Sequence, residues 1–260
     1  MKRFPFWSWF WVIIGLLYFF IPLFSTIEFS LRMLKGRYTL EAYREAFADP
    51  RFYQSFGYSV VWSLLTIVVS LLLVVPTAYW VHLRLPRLRP YVEFVTLMPF
   101  VVPAVVLIFG LIRLYGRPPL VLTTTPAALI VGYVVLSLPY MYRSVDAGLR
   151  AVDIRTLTEA AQSLGANWLT ILKDVIFPNL RVALLSGIFL TFAIVMGEFT
   201  FAALLAWPAF GPYIEEIGSM RAYTPQAVSV MSFAITWLAI GVMQWIGRDT
   251  RGAAQAAIAH

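Results

Sequence analysis

Apolar stretches long enough to cross a lipid bilayer alternate with short polar segments along the chain. Runs almost free of charge fall at about 7–27, 58–81, 91–115, 126–143, 180–206 and 225–246. Each approaches or exceeds the ~20 residues that a helix needs to cross a hydrocarbon core of about 30 Å. The pattern predicts an all-α membrane protein with six transmembrane helices in a single domain over 1–260. Pro76, Pro99, Pro103 and Pro139 fall inside or near the ends of these runs. Neighbouring helices can satisfy the carbonyls that proline frees, but the Pro99 and Pro103 pair is expected to distort the third span. Between the first two runs, Leu40, Tyr43 and Phe47 recur at helical spacing and predict a short interfacial helix.

The polar remainder fixes the orientation. With the N-terminus inside, Lys2, Arg3, Arg84, Arg87, Arg89, Arg143, Arg150, Arg155, Lys173, Arg181, Arg248 and Arg251 lie on the cytoplasmic side, twelve of the twenty basic residues. The short loop "HLRLPRLRPY" carries three arginines and no acid, and short loops weigh most in setting topology. Both termini are therefore expected to be cytoplasmic. The start, "MKRFPFWSWFWVIIGLLYFFIPLF", is too long and Trp-rich for a signal peptide and reads as a retained first span. Trp7, Trp9 and Trp11, with Tyr140 and Tyr142 elsewhere, read as aromatic belts.

Composition narrows the chemistry. Only 13% of the 260 residues are charged and 60% are hydrophobic, where a soluble domain carries about 25% charged residues. Most of the surface is thus expected to face lipid. The absence of cysteine excludes disulfides, thiolate metal sites and cysteine nucleophiles. The net charge of +7 is spread along loop ends and forms no nucleic-acid stripe. A membrane enzyme needs paired acids, a Ser/His or Ser/Lys set, or a metal cluster, and two histidines with one isolated intramembrane acid do not supply them. An autonomous carrier with broken, inverted-repeat spans calls for several intramembrane charges.

One cytoplasmic segment, about 153–178, is too polar to span yet patterned. Ile154, Leu157, Ala161 and Leu164 follow helical spacing and mark one face. Gly165 suits the left-handed position that ends such a helix. Asn167 is placed to cap a second helix with Trp168, Ile171 and Val175 on one face, and Pro178 fits the first turn of the fifth span. Ala160 and Ala161 leave room for another surface to approach, with Glu159 as a fixed charge. Taken alone, such a segment also fits a connector lying on the membrane.

In "EAAQSLGANWLTILKDVIFP", residues Glu159, Ala160, Ala161, Gly165 and Pro178 stand at the spacing of the EAA loop of ABC importer permeases, with Val175 and Phe177 as apolar substitutes for its Ile and Leu. The chain resembles that family, and the spermidine/putrescine-type permeases within it. The resemblance implies a type I ABC importer permease fold whose EAA coupling helices dock on a cytoplasmic ATPase. It also implies a second permease subunit of related, non-identical sequence, two copies of the ATPase holding ATP and magnesium, and an extracytoplasmic solute-binding protein. The chain itself carries no G-x-x-x-x-G-K-[ST] motif, so no cofactor is expected on it and no catalytic residue is assigned. The implied location is the prokaryotic plasma membrane. The implied cargo is a small solute such as a polyamine, with iron, thiamine, a sulfate-type anion or a sugar as alternatives.

Glu198, flanked by Gly197 and Phe199, falls inside the fifth run. A carboxylate there is costly unless it meets a partner or water, so it reads either as a pathway or gate residue or as an interhelical lock. Glu93 is expected to pair with Arg89 or Arg87. His82 is expected to be a solvated interface residue, and Glu215 and Glu216 solvated residues of the outer loop.

Overall fold

The computed structural model describes residues 6–34, 36–119, 121–238 and 241. Among them the regular structure is helical, apart from one isolated bridge between Leu34 and Arg37. The elements are α1 (Phe6–Ser30), α2 (Glu41–Ala48), α3 (Pro50–Leu83), a 3-10 turn (Pro86–Leu88), α4 (Arg89–Val101), α5 (Ala104–Tyr115), α6 (Pro126–Ala151), α7 (Ile154–Ser163), α8 (Trp168–Thr170), a π turn (Ile171–Ile176), α9 (Phe177–Met196), α10 (Thr200–Leu204) and α11 (Phe210–Met220). A further helix, α12, covers 224–238. Four stretches are long and apolar enough to cross a membrane: Trp9–Ser30, Pro50–Leu83, Pro126–Ala151 and Trp168–Met196. The bent pair α4 and α5 makes a fifth if it counts as one span.

The helix boundaries depart from hydropathy where a charge or a proline has a local solution. The third run is broken, and its two halves meet at 107°. Pro103 disfavours helical geometry at the residue before it, and Val102 is extended with ψ 121°. The fourth helix continues past Arg143 to Ala151, because its next acid, Asp146, is neutralised by neighbours. The fifth begins early, at Trp168, and stops at Met196, ahead of Glu198. The sixth run is helical over 224–238, while 239, 240 and 242–246 lie outside the described residues.

Two compact units separate by their contacts, Ser55–Pro212 with Ile240–His260, and Met1–Gln54 with Tyr213–Ala239. In the second of these, α1 presents apolar side chains all round, with Trp7 67%, Trp11 63% and Tyr18 83% exposed. A helix apolar on every face and uncovered by protein is suited to lipid. The unit is joined by Arg51–Glu216 at 2.6 Å and Arg221–Glu45 at 2.8 Å, so Glu216 is bridged instead of simply solvated. On α2 the buried positions are Ala42 and Ala46. The predicted stripe leaves Leu40 and Phe47 at the surface, because close approach favours the small side chains.

The unit Ser55–Pro212 contains two apolar clusters. One joins Trp62, Ile108, Leu129, Tyr133, Val195 and Phe201. The other joins the end of α3 (Val74, Val75, Ala78, Tyr79) to Met141, Tyr142, Val145 and Leu149 of α6, Ile154 of α7, and Ile171, Leu172, Ile176, Leu180 and Leu184. Tyr142 is therefore a core residue, 2% exposed, and not a belt residue. Between the clusters, Ser70 and Ser137 share a buried hydrogen bond of 3.0 Å that ties α3 to α6.

Candidate functional site

The segment 153–178 folds largely by its own local chemistry. Asp153 caps α7, accepting from the Thr156 amide at 3.2 Å and from its hydroxyl at 2.8 Å. These two bonds hold the Asp153 carboxyl below its ordinary range. At the other end Gly165 has φ +81°, a conformation that glycine adopts without the Cβ penalty. The Gly165 amide donates to Gln162 O at 2.9 Å and the Ala166 amide to Ala161 O at 3.0 Å. That pair of bonds is the Schellman closure. Ala161 and Ala166 both pack on the apolar cluster around Ile171 and Ile176. Asn167 then caps the next helix, accepting from the Thr170 amide at 2.9 Å.

Two expectations about faces need correction. On α7 the buried residues are Ile154 and Thr158, with Ala161 partly covered. Leu164 is 89% exposed, because the helix ends there and the corner swings its side chain outward. In the second helix Trp168 is 48% exposed, whereas Ile171, Leu172 and Ile176 are buried. The wider winding of the π turn shifts that register. The same turn accommodates Pro178, whose ring would clash with the carbonyl four residues back and whose nitrogen cannot donate. Trp168 to Met196 therefore runs without a stop, and Pro178 sits in the second position of α9, within its first turn. Val175 packs on the cluster around Ile171 and Ile176; Phe177 lies at the surface.

Glu159, Ala160, Gln162 and Leu164 point outward from this rigid corner. Glu159 pairs along the helix with Arg155 at 3.1 Å, both largely exposed. The opposite face is held by the protein. The Tyr79 hydroxyl of α3 lies 3.1 Å from the Thr158 hydroxyl, which itself donates to Ile154 O.

Beside it lies a charged cluster that hydropathy did not announce. Asp146, with a side chain 7% exposed, receives His82 Nε2 at 2.7 Å, Arg89 at 3.0 Å and Arg150 at 2.6 Å. Glu93 pairs with Arg150 at 3.0 Å. His82 is thus buried against a carboxylate instead of solvated, and Glu93 takes Arg150 instead of Arg89 or Arg87. The signal available in the sequence was Asp146 and Arg150 at i, i+4, placing two opposite charges on one helix face.

At the far end of α9 the chain breaks at Gly197, and Glu198 leaves the helix. Both carboxylate oxygens accept from the Phe201 amide, at 3.1 and 2.9 Å, which caps α10. Gly211 lies so close that a Cβ there would meet Glu198 O at 2.5 Å. Phe199 is 42% exposed.

Residues 75–251, which include the whole segment, match the family described as "Binding-protein-dependent transport system inner membrane component". A spermidine/putrescine transport system permease protein of Haemophilus influenzae is 29% identical over 182 residues, 64% of this chain and 63% of that protein. A probable molybdenum ABC transporter permease protein of Haloferax volcanii is 31% identical over 155 residues, 57% of each. The chain thus spans less than two thirds of the length of these two relatives. A chain from a bacterial alginate ABC transporter, solved with an alginate pentasaccharide-bound periplasmic protein, has the same fold. Its TM-score is 0.67 at 12% identity, over 94% of this chain and 95% of that one.

Proposed function

The chain belongs to the inner membrane components of binding-protein-dependent transport systems, and from that premise we propose that it forms half of the solute pathway of an ABC importer. In this reading 1–260 is one permease with six spans and both termini in the cytoplasm of a prokaryote. It pairs with a related, non-identical permease, receives solute from an extracytoplasmic binding protein, and rests on two copies of an ATPase that hold the ATP and magnesium.

The observation that carries the reading is the corner at 153–178. A transmitting element must be stiff and must offer a surface that its own protein leaves uncovered. Caps at both ends stiffen α7, and Glu159, Ala160 and Leu164 are exposed on it. The ATPase is proposed to take this face, with Ala160 and Ala161 admitting close approach and Glu159 supplying one charge. Gly165 sets the corner, and Val175, Phe177 and Pro178 join it to α9, so that a push on α7 reaches a membrane-crossing helix through continuous backbone. Gly197, Glu198 and Phe199 break that helix along the proposed pathway. Glu198 serves there as the cap of α10, leaving Phe199 as the exposed side chain of the break.

The proposed cargo is a polyamine, on the likeness to the Haemophilus influenzae protein. The Haloferax volcanii relative favours a second reading, an oxyanion of molybdenum. The test is uptake by right-side-out membrane vesicles that carry the full complex, with its binding protein outside and ATP inside, and with labelled spermidine in one arm and labelled molybdate in the other. ATP-dependent uptake of spermidine alone supports the first reading, and of molybdate alone the second. Uptake that persists without ATP or without the partner ATPase contradicts the importer reading itself.

A further inference from the structure

We propose that the hydrogen bond between Tyr79 and Thr158 locks α7 to α3, making Tyr79 the positioning residue through which motion of the ATPase-facing helix reaches a second membrane span. This deepens the importer reading and rests on it.

Thr158 is the residue immediately before Glu159, Ala160 and Ala161, but it turns to the opposite, buried face and is 6% exposed. Its hydroxyl donates to Ile154 O at 2.6 Å, which leaves its oxygen to accept from the Tyr79 hydroxyl at 3.1 Å. Tyr79 is itself 4% exposed. Otherwise Ile154 and, partly buried, Ala161 of α7 share one apolar cluster with Val75 and Ala78 of α3. Apolar contact is non-directional and lets one helix slide along another. A hydrogen bond holds only within a few tenths of an ångström and a limited angle, so this one fixes the register that packing leaves free.

The position of Tyr79 on α3 gives the lock its leverage. One turn further along, His82 meets Asp146 of α6 at 2.7 Å, so the end of α3 is tied to α7 and α6 together. From that end α3 continues without interruption through 34 residues, about 51 Å at helical rise. Backbone continuity already carries movement from α7 toward α9. The Tyr79 bond supplies a separate route to α3 that no backbone provides.

The experiment uses the complete transporter, with spin labels at Val68→Cys on α3 and Ser163→Cys on α7, in a chain that has no cysteine of its own. The distance between the labels is measured by pulsed electron resonance, nucleotide-free and trapped with ATP and vanadate. If α3 and α7 move as one body, the distance and its spread agree between the two states. In Tyr79→Phe and Thr158→Val the two states separate by about 2 Å, the scale of helix shifts in switching proteins, or the distribution broadens by as much. Thr158→Ser keeps the hydroxyl and behaves as the unsubstituted chain. The proposal is overturned if Tyr79→Phe matches the unsubstituted chain in both states, or if Thr158→Ser fails as Thr158→Val does. It is also overturned if Tyr79→Phe loses the ATPase altogether, since the bond then builds the docking surface and transmits nothing. An unsubstituted chain that never retains an ATPase contradicts the importer reading and this inference together, whereas an intact, hydrolysing Tyr79→Phe complex whose distances match those of the unsubstituted chain contradicts this inference alone.

Discussion

Replacing Gly148 by alanine puts a methyl group where α6 and α9 already touch. The added Cβ would lie 2.5 Å from Ala183 Cβ and 3.0 Å from Leu180 Cδ2, against ordinary contact from 3.4 Å upward. Leu180 can swing its end away by a rotamer change. Ala183 has no side-chain torsion to turn, so the two helices must part locally by about 0.9 Å. A gap of that size forfeits about a quarter to a half of each dispersion well along the seam. A Cβ at Gly187 would likewise lie 2.8 Å from the Met141 sulfur, so the separation loosens a second small-residue contact on the same interface. Small residues are what let helix backbones approach in a bilayer. Overpacking of this kind costs about 1–3 kcal/mol, which lowers the melting temperature of a chain this size by about 2–10 °C. The assay is the surviving monodisperse fraction of detergent-purified protein after heating. The double substitution Gly148→Ala with Ala183→Gly moves the methyl across the interface and should return stability to near that of Ala183→Gly alone. A Gly148→Ala protein that melts with the unsubstituted chain, or a double variant no better than Gly148→Ala, refutes the crossing geometry.

Three further outcomes follow from single contacts. Asp153 is held below the usual carboxylate range by its bonds to Thr156. Its contribution to α7 is therefore full above the unfolded carboxyl value and fades as pH falls through the lower folded one. Amide exchange of α7 should quicken on acidification, and Asp153→Asn, which still caps, should remove that dependence; an unchanged pH profile in Asp153→Asn rules the cap out as its source. Asp146→Ala strands His82, Arg89 and Arg150 around a buried site and should cost on the order of 3 kcal/mol in thermal stability. A loss below about 1 kcal/mol would mean that water replaces the carboxylate. Glu198→Gln keeps an oxygen for the Phe201 amide and should retain assembly and uptake, whereas Glu198→Ala should lose about 1 kcal/mol of stability with the cap. Abolished uptake in Glu198→Gln, with stability intact, would show that the pathway needs the charge of Glu198 and not only its cap.

Features set by neighbours in sequence could be read from the chain, and those set by distant partners could not. Gly165 and Asn167 announced their turn and cap because a left-handed residue and an N-cap are decided within about four residues. The break near Pro103 was expected for the same reason. Leu164 and Trp168 were assigned to buried faces by periodicity, which holds only while the helix continues with its ordinary winding. One sits where the helix ends, and the other precedes a π turn. Sequence alone makes His82 a solvated interface residue and Glu93 a partner of Arg89 or Arg87, because their partners in the structure, Asp146 and Arg150, lie 64 and 57 positions away. Glu198 was placed within a helix because hydropathy averages over a window and does not register a carboxylate that satisfies a local break. The pairing of Tyr79 with Thr158, 79 residues apart, left no trace in either local pattern.

The central claim is that the corner at 153–178 docks on an ATPase. The most direct measurement places a photo-crosslinking amino acid at Leu164, the 89% exposed residue at its tip, and illuminates native membranes that express the full transporter. The account predicts one dominant protein adduct, an ATP-binding-cassette subunit identified by mass spectrometry. It further predicts that Gly165→Val, which strains the left-handed corner, weakens that adduct while membrane insertion persists. Adducts to lipid alone, with no ATPase captured from a membrane that contains the assembled partner, would contradict it.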